Sequence, residues 1–179
     1  MPLAMLLRPT ICSSRAPPTL RGTQRDRAQL SMSRPNTAWR FMSATPPDEL
    51  SPAQRWFALA VQDLAAAQIL VADGSAALRI AGFLAQQAAE KALKAGLFAA
   101  SIAAPRIHGL NQILARYPST RSPNVDADDL DLLDPWVMDG RYAADLPDLS
   151  RAEADRLLLA ARRVLDSVLA SEPSLDLRS

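Results

Sequence analysis

The residues best suited to chemistry lie in and just after one long predicted helix. They are Glu90, Lys91, Lys94 and His108, and the two lysines are the only lysines in a chain whose other basic residues are all arginine. Glu90 and Lys94 stand four positions apart, in the order that favours an ion pair on one helix face. We therefore predict a structural ion pair between Glu90 and Lys94. Contact of Lys91 or Lys94 with a phosphate or nucleotide is the alternative.

His108 is the only histidine and Cys12 the only cysteine, which limits the kinds of site that one chain can build. Paired-histidine catalysis and cysteine-rich zinc binding are excluded, and we predict no metal and no cofactor. His108 is expected to cap the short helix after it or to pack against the long helix, with general-base or ligand contact as the alternative. Arg141 is expected to pack and form a salt bridge, with an anion site as its alternative.

A run of aspartates near Pro135 is the other concentration of charge: Asp126, Asp128, Asp129, Asp131 and Asp134. Carboxylates are the ligands that hard cations prefer. The spacing spreads these side chains around a helix, however, and acids near a helix N-terminus also favour the helix dipole. We interpret the run as a solvated helix start.

The long helix that carries Glu90 is predicted to extend from about Ser75 to Ala100, since it is rich in good helix formers and contains no proline. Large apolar residues stand among its charges, so we expect it to contact neighbours on several sides. Its smallest residues share one stripe, where another backbone is expected to approach closely: Leu78, Gly82, Ala85, Ala89, Ala92 and Gly96.

The remaining elements are also helical. Ser51 and Gln54 form a capping box at the start of the first helix, and a turn at 73–75 is short enough to make the first two helices antiparallel. Trp56 and Trp136 are predicted core residues. The predicted fold is an all-α, antiparallel up-and-down bundle of four to five helices. They are Pro52–Ala72, the long helix, a short helix near Leu110–Arg116, a helix over Asp126–Leu133 that continues beyond a kink at Pro135 through Trp136–Tyr142, and a Ser150-capped helix ending near Ala170.

The two ends of the chain differ from this bundle in composition. Residues 1–47 carry seven arginines against one acid and hold seven of the fourteen prolines. We predict a disordered extension, or translation that begins at Met32 or Met42. Residues 48–172 are predicted to form the bundle and 173–179 a frayed tail. No apolar run is long enough to span a membrane, so we expect no membrane association.

Several segments together resemble the HEPN domain, a family named for nucleotide binding in higher eukaryotes and prokaryotes. The resemblance covers about Pro52 to Ser171. Its most specific part is the run Gln86-Gln87-Ala88-Ala89-Glu90-Lys91-Ala92-Leu93-Lys94-Ala95 followed by a proline and His108-Gly109-Leu110. The other matching segments are Trp56 with Asp63-Leu64-Ala65-Ala66-Ala67, Phe83-Leu84-Ala85, Pro105, and Gly140-Arg141-Tyr142 before Pro147-Asp148.

This resemblance implies a cytoplasmic bundle that forms a homodimer and is often encoded with a minimal nucleotidyltransferase partner. Many HEPN proteins are metal-independent ribonucleases, some of them toxins, with an Arg-x4–6-His motif. In that motif arginine stabilises charge and histidine exchanges protons. Here the arginine would have to stand at Ser101, Ile102 or Ala103, and none of these is arginine.

Three functional hypotheses follow, and the first leans away from an enzyme. It is a dimeric HEPN-like module that binds a nucleotidyltransferase, a nucleotide or RNA in a toxin–antitoxin or defence-type system, with Lys91, Lys94, His108 and Arg141 as candidate ligand contacts. The alternative is a ribonuclease toxin with a non-standard site that uses His108 with Arg106 or Arg141. The third is a structural scaffold.

Overall fold

The computed structural model describes residues 49–74, 78–137 and 148–177. Within these ranges the chain forms five α-helices and two short 3₁₀ turns, with no strand, which confirms the predicted all-α bundle. The predictions made for residues 1–47 and for Arg141 and Tyr142 lie outside the described residues.

Helix α1 spans Pro52–Ala72, as predicted. Ser51 accepts a hydrogen bond from the Gln54 backbone N–H while the Gln54 side chain accepts from the Ser51 N–H, so the capping box forms with Pro52 at the first helical position. Asp73 caps the other end, and Gly74 has a φ of 66°, a left-handed turn conformation that glycine adopts without strain.

Helix α2 spans Leu78–Ala99 and is the centre of the bundle. Contacts between α1 and α2 run in opposite chain directions, because Asp63 pairs with Lys91 while Trp56 packs on Phe98 with ring centroids 5.8 Å apart. The two helices are therefore antiparallel. The buried residues of α2 lie on several of its faces, as predicted from its mixed pattern.

The end of α2 is set by its own last turn and comes well before Pro105. Ser101 has a φ of 61°, and Ile102 N–H donates to the Leu97 carbonyl at 2.8 Å. A left-handed residue with this longer hydrogen bond forms a Schellman-type cap. The helix consequently stops at Ala99, and residues 102–109 form a loop that leads to α3.

The stripe of small residues on α2 receives aromatic rings where a backbone was expected. A Cβ at Gly82 would lie 2.6 Å from Cε3 of Trp136, and a Cβ at Gly96 would overlap the hydroxyl of Tyr117. Tyr117 is buried, and its hydroxyl donates a hydrogen bond to the Leu93 carbonyl. We call Gly82, Ala85, Ala89, Ala92 and Gly96 the small-residue face of α2.

Two short helices cross the bundle after α2. Helix α3 is Leu110–Leu114 and α4 is Ala127–Leu133, with Asp126 as its N-cap. A 3₁₀ turn, Asp134–Trp136, follows and buries Trp136 as predicted. The predicted helix from Trp136 to Tyr142 is wrong at its start, because Val137 is extended, and residues 138–142 lie outside the described residues.

Helix α5 spans Arg151–Ser171 and begins with the predicted capping box of Ser150 and Glu153. Hydrogen bonds from Ser150 lower the pKa of Glu153. The prediction of a frayed tail after it is wrong for residues 173–177. Pro173–Leu175 forms a 3₁₀ turn, and the side chains of Leu175 and Leu177 are buried in the core, because apolar contacts hold the segment against the bundle.

The sequence predicts no apolar run long enough to span a membrane. By length and composition, α1 is nevertheless long and apolar enough, and it is the one such helix in the described ranges. Such a match is weak evidence, since the core helix of a soluble protein passes the same test. In this structure one side of α1 packs on α2 through residues such as Phe57, Ala60 and Leu64.

Candidate functional site

The carboxylate of Glu90 is the centre of a buried polar cluster on α2. Glu90 is only 4% exposed, and a buried carboxylate is costly unless nitrogen donors surround it. Lys94 Nζ donates to Oε1 at 2.8 Å, while the side-chain amides of Gln86 and Gln87 donate to Oε2 at 3.2 and 3.3 Å. We call Glu90, these three residues and His108 the Glu90 cluster.

The helix places most of this cluster by itself. Positions three and four apart on an α-helix share a face, so Gln86, Gln87 and Lys94 all reach Glu90 along one helix. The predicted ion pair between Glu90 and Lys94 is therefore present. Its side chains are only 6% and 8% exposed, which separates it from surface pairs that contribute little to stability.

His108 joins the cluster from the loop after α2. Its Nδ1 lies 3.1 Å from Oε1 and 3.3 Å from Oε2 of Glu90, and Gln86 Nε2 donates to the His108 carbonyl at 3.3 Å. An ionised carboxylate only accepts hydrogen bonds, so Nδ1 is the donor in this contact and Nε2 takes no part in it. The His108 side chain is 56% exposed, which makes it the part of the cluster most open to solvent.

Of the two structural roles predicted for His108, one is present. His108 packs against the long helix through Glu90. It does not cap α3, whose N-cap is Gly109 without a side-chain hydrogen bond. The first backbone N–H of α3, on Leu110, donates instead to Oδ1 of Asp134 at 2.7 Å. That cap comes from 24 positions further along the chain, so helix-start patterns do not predict it.

Both lysines of α2 are engaged with carboxylates. Lys91 pairs with Asp63 of α1 and also donates to Gln87 Oε1 at 3.3 Å, and Lys94 pairs with Glu90. Each positive charge thus has a negative charge beside it. An added phosphate would meet a locally balanced field unless it displaced one of these carboxylates.

The arginines of the alternative site are not gathered at His108 within the described residues. Arg106 is exposed in the loop before it and has no ion pair among the described residues. Arg141 lies outside them. The positions where the Arg-x4–6-His motif would need arginine, such as Ser101 and Ile102, fall in the turn and loop after α2.

Sequence reasoning missed three members of this neighbourhood: Asp63, Gln86 and Gln87. The spacing of Gln86, four positions before Glu90, was a usable signal, because an amide and a carboxylate at that distance interact on one helix face. Gln87, three positions before Glu90, carried the same kind of signal. Asp63 carried none, because it reaches Lys91 across 28 positions and only the packing of α1 on α2 brings them together.

The aspartate run at α4 is more structural than predicted. Asp129 is 4% exposed, and Arg163 of α5 clamps its carboxylate, with Nε 2.7 Å from Oδ2. The hydrogen bond to Asp129 raises the pKa of Arg163. A solvated helix start is therefore wrong for Asp129. In the described ranges, no three His, Cys, Asp or Glu side chains are grouped so that they could hold a metal ion.

Comparison with known proteins agrees with this geometry. The model of the HEPN domain family matches residues 53–171, which is most of the described bundle. No curated protein matches the chain.

Two solved structures resemble the bundle. One is the crystal structure of TT1696 from Thermus thermophilus, with 28% sequence identity and a TM-score of 0.58 over 68% of this chain and 99% of the other. The other is the crystal structure of ST0689, an archaeal HEPN homologue, with 25% identity and a TM-score of 0.52 over 68% of this chain and 98% of the other. The match to nearly the full length of both proteins indicates that the bundle corresponds to a complete domain.

Proposed function

The chain belongs to the HEPN domain family, and from this premise we propose that it is a dimeric, non-catalytic interaction module whose partner is a minimal nucleotidyltransferase. A toxin–antitoxin or defence-type system in the cytoplasm is the setting that fits such a pair. Nucleotide or RNA would then be handled by the complex, and the bundle alone would contribute little phosphate affinity.

One observation carries this proposal: both lysines of α2 are paired with carboxylates of the bundle. Lys94 is almost fully buried against Glu90, and Lys91 is held by Asp63. A lysine that binds phosphate well presents an uncompensated charge in reach of solvent. These two lysines hold the fold together, which suits a module that recognises a protein surface better than one that recognises phosphate.

Co-expression tests the partner. The bundle is produced together with the nucleotidyltransferase from the neighbouring reading frame, identified by its Gly-Ser and Asp-x-Asp pattern, and the pair is analysed by size exclusion with light scattering. We expect one complex that survives chromatography. Separate elution of the two proteins at tens of micromolar would contradict the proposal. If ATP and RNA also failed to shift the melting temperature of the bundle, a structural scaffold would be favoured.

A titration tests the phosphate alternative. ATP and a short single-stranded RNA are added to the purified bundle while its melting temperature is followed. We expect no shift beyond that produced by an equal ionic strength of salt. A shift that is lost in Lys91→Met but kept in Arg156→Met, which removes an exposed cation from α5, would assign the site to phosphate binding.

A ribonuclease remains the second candidate because of how Glu90 holds His108. A carboxylate on Nδ1 orients the ring and leaves Nε2 to accept a proton, the arrangement of many general bases. Nε2 would take the proton of an RNA 2′-hydroxyl, and Arg106 from either subunit would stabilise the developing charge. Cleavage of RNA in EDTA that disappears in both His108→Ala and Arg106→Ala would support this candidate.

A further inference from the structure

Helix α1 is apolar on the side that faces away from the bundle as well as on the side that faces in. Its outward positions are exposed or half-buried, and glutamine is their only polar residue: Leu59, Gln62, Ala66 and Ile69. Leu59 and Ile69 are 46% and 55% exposed. We call these four positions the α1 outer face. A helix that is apolar all round is normally covered all round.

The charges of α1 stand at its ends. Arg55 and Asp73 are both exposed and lie at the two ends of the α1 outer face. They stand eighteen positions apart, or about 27 Å along a helix. The one charged residue between them is Asp63, which Lys91 of α2 already pairs. The face is thus an uncharged strip with a positive and a negative end.

Such a strip is complementary to a reversed copy of itself. The midpoint between Arg55 and Asp73 is position 64, so a twofold axis that crosses the α1 outer face at the height of position 64 would bring Arg55 against Asp73 of the partner subunit at both ends. The same operation would bring Leu59 against the partner subunit's Ile69. Interfaces between identical subunits with a twofold axis are self-complementary in this way.

We propose that two copies of this chain associate through the α1 outer face, with their α1 helices antiparallel. This inference rests on the dimer of the proposed function and adds which face forms it and in which register. Burial of Leu59 and Ile69 would supply the affinity, since exposed ion pairs add little. The Arg55 and Asp73 pairs would fix the direction of the helices.

Substitution of the apolar residues is the first test. The oligomeric state of the full chain is measured by sedimentation velocity over a concentration series. Leu59→Glu and Ile69→Glu should each raise the dimer dissociation constant at least tenfold, because each buries two unpaired carboxylates per dimer. Leu159→Glu is the matched control, since Leu159 is 53% exposed on α5. It should leave the constant unchanged.

A charge exchange tests the register. Arg55→Asp and Asp73→Arg should each weaken self-association, because like charges would then meet at both ends. The doubly exchanged chain should recover, and an equimolar mixture of the two single variants should form a heterodimer in which both end pairs attract. These comparisons control for folding, because each altered residue is also present in a combination that associates.

The results of these experiments distinguish failure of the α1 outer face as the interface from failure of the chain to dimerise at all. A dimer that persists in Leu59→Glu and Ile69→Glu would overturn the α1 outer face and leave a dimer through another surface. A wild-type chain that is monomeric at tens of micromolar would overturn both. A mixture of the single charge variants that does not associate would overturn the antiparallel register.

Discussion

Two faces of helix α2 are covered by different kinds of side chain, aromatic on one face and polar on the other. On the small-residue face, Gly82 and Gly96 are filled by the rings of Trp136 and Tyr117. On the other face, the Glu90 carboxylate is surrounded by nitrogen donors and closed by His108. Close packing of rings on glycines dominates the first contact, with one hydrogen bond from the Tyr117 hydroxyl to the Leu93 carbonyl. Charge decides the second, and it leaves an imidazole half-exposed at the surface.

This difference indicates which face of α2 could carry a functional side chain. A ring packed on glycine has no spare polar group, so the small-residue face can only support the fold. The Glu90 cluster supports the fold as well, since Glu90, Gln86 and Lys94 are buried, but it also orients one titratable ring towards solvent. Substitutions on the two faces should therefore change the free energy of unfolding by different amounts and for different physical reasons.

The largest effect is expected for Glu90→Ala. Removing the carboxylate leaves the buried Lys94 without a partner, and breaking a buried ion pair in this way costs about 3–5 kcal/mol. The free energy of unfolding in urea measures it. The double variant Glu90→Ala with Lys94→Met should recover part of the loss, because no unpaired charge remains. A loss below about 1 kcal/mol in the single variant would show that the Glu90 cluster is not structural.

The next effect is expected for Gly96→Ala on the small-residue face. The new methyl group would overlap the Tyr117 hydroxyl and lie 3.2 Å from Cγ1 of Val168, so the site is overpacked. Such insertions cost about 1–3 kcal/mol. A double-mutant cycle with Tyr117→Phe should show coupling, since removing the hydroxyl relieves the overlap. Additive effects would mean that ring and helix do not compete for this space.

Tyr117 also makes the small-residue face sensitive to alkaline pH. Burial, with Glu172 as a second cause, raises its pKa well above the ordinary value of 10.0. Above pH 10 the unfolded chain therefore loses this proton while the folded chain keeps it, so stability falls as pH rises. One proton gives a slope of about 1.4 kcal/mol per pH unit. Tyr117→Phe should flatten the slope by most of that amount in urea melts between pH 10 and 11, where the unfolded tyrosine goes from half to largely ionised. An unchanged slope would contradict the burial.

The smallest effect on stability is expected for His108→Ala. The ring is half-exposed, and Glu90 keeps Lys94 and both glutamine amides as donors. We expect a loss of about 1 kcal/mol or less, the usual net value of one hydrogen bond. A loss as large as that of Glu90→Ala would place His108 among the structural residues and remove it as a functional candidate.

How much of this the sequence predicts depends on the range of each interaction. The capping boxes at Ser51 and Ser150 and the pair of Glu90 with Lys94 are set within one helical turn, and all three are present. The pairs of Lys91 with Asp63 and of Arg163 with Asp129 join residues 28 and 34 positions apart. Helix packing creates those pairs, and local spacing carries no sign of them.

The small-residue face shows a second limit. The sequence places Gly82 and Gly96 on one stripe and predicts the close approach of another backbone there, but the neighbour is an aromatic ring from a later segment. Nothing at Trp136 or Tyr117 identifies its target, because any cavity of suitable shape would accept a ring. The same holds for Leu175 and Leu177, whose burial in the core is also not indicated by local sequence.

We propose that the Glu90 cluster stabilises an interaction module and performs no phosphate chemistry, and an assay of RNA cleavage distinguishes this proposal from the ribonuclease alternative. Purified wild-type chain, His108→Ala and the stability-matched control Leu159→Ala are incubated with total RNA in EDTA, and the RNA is resolved on a denaturing gel. The account predicts intact RNA in all three reactions. Cleavage by wild type and Leu159→Ala that is absent in His108→Ala would contradict it.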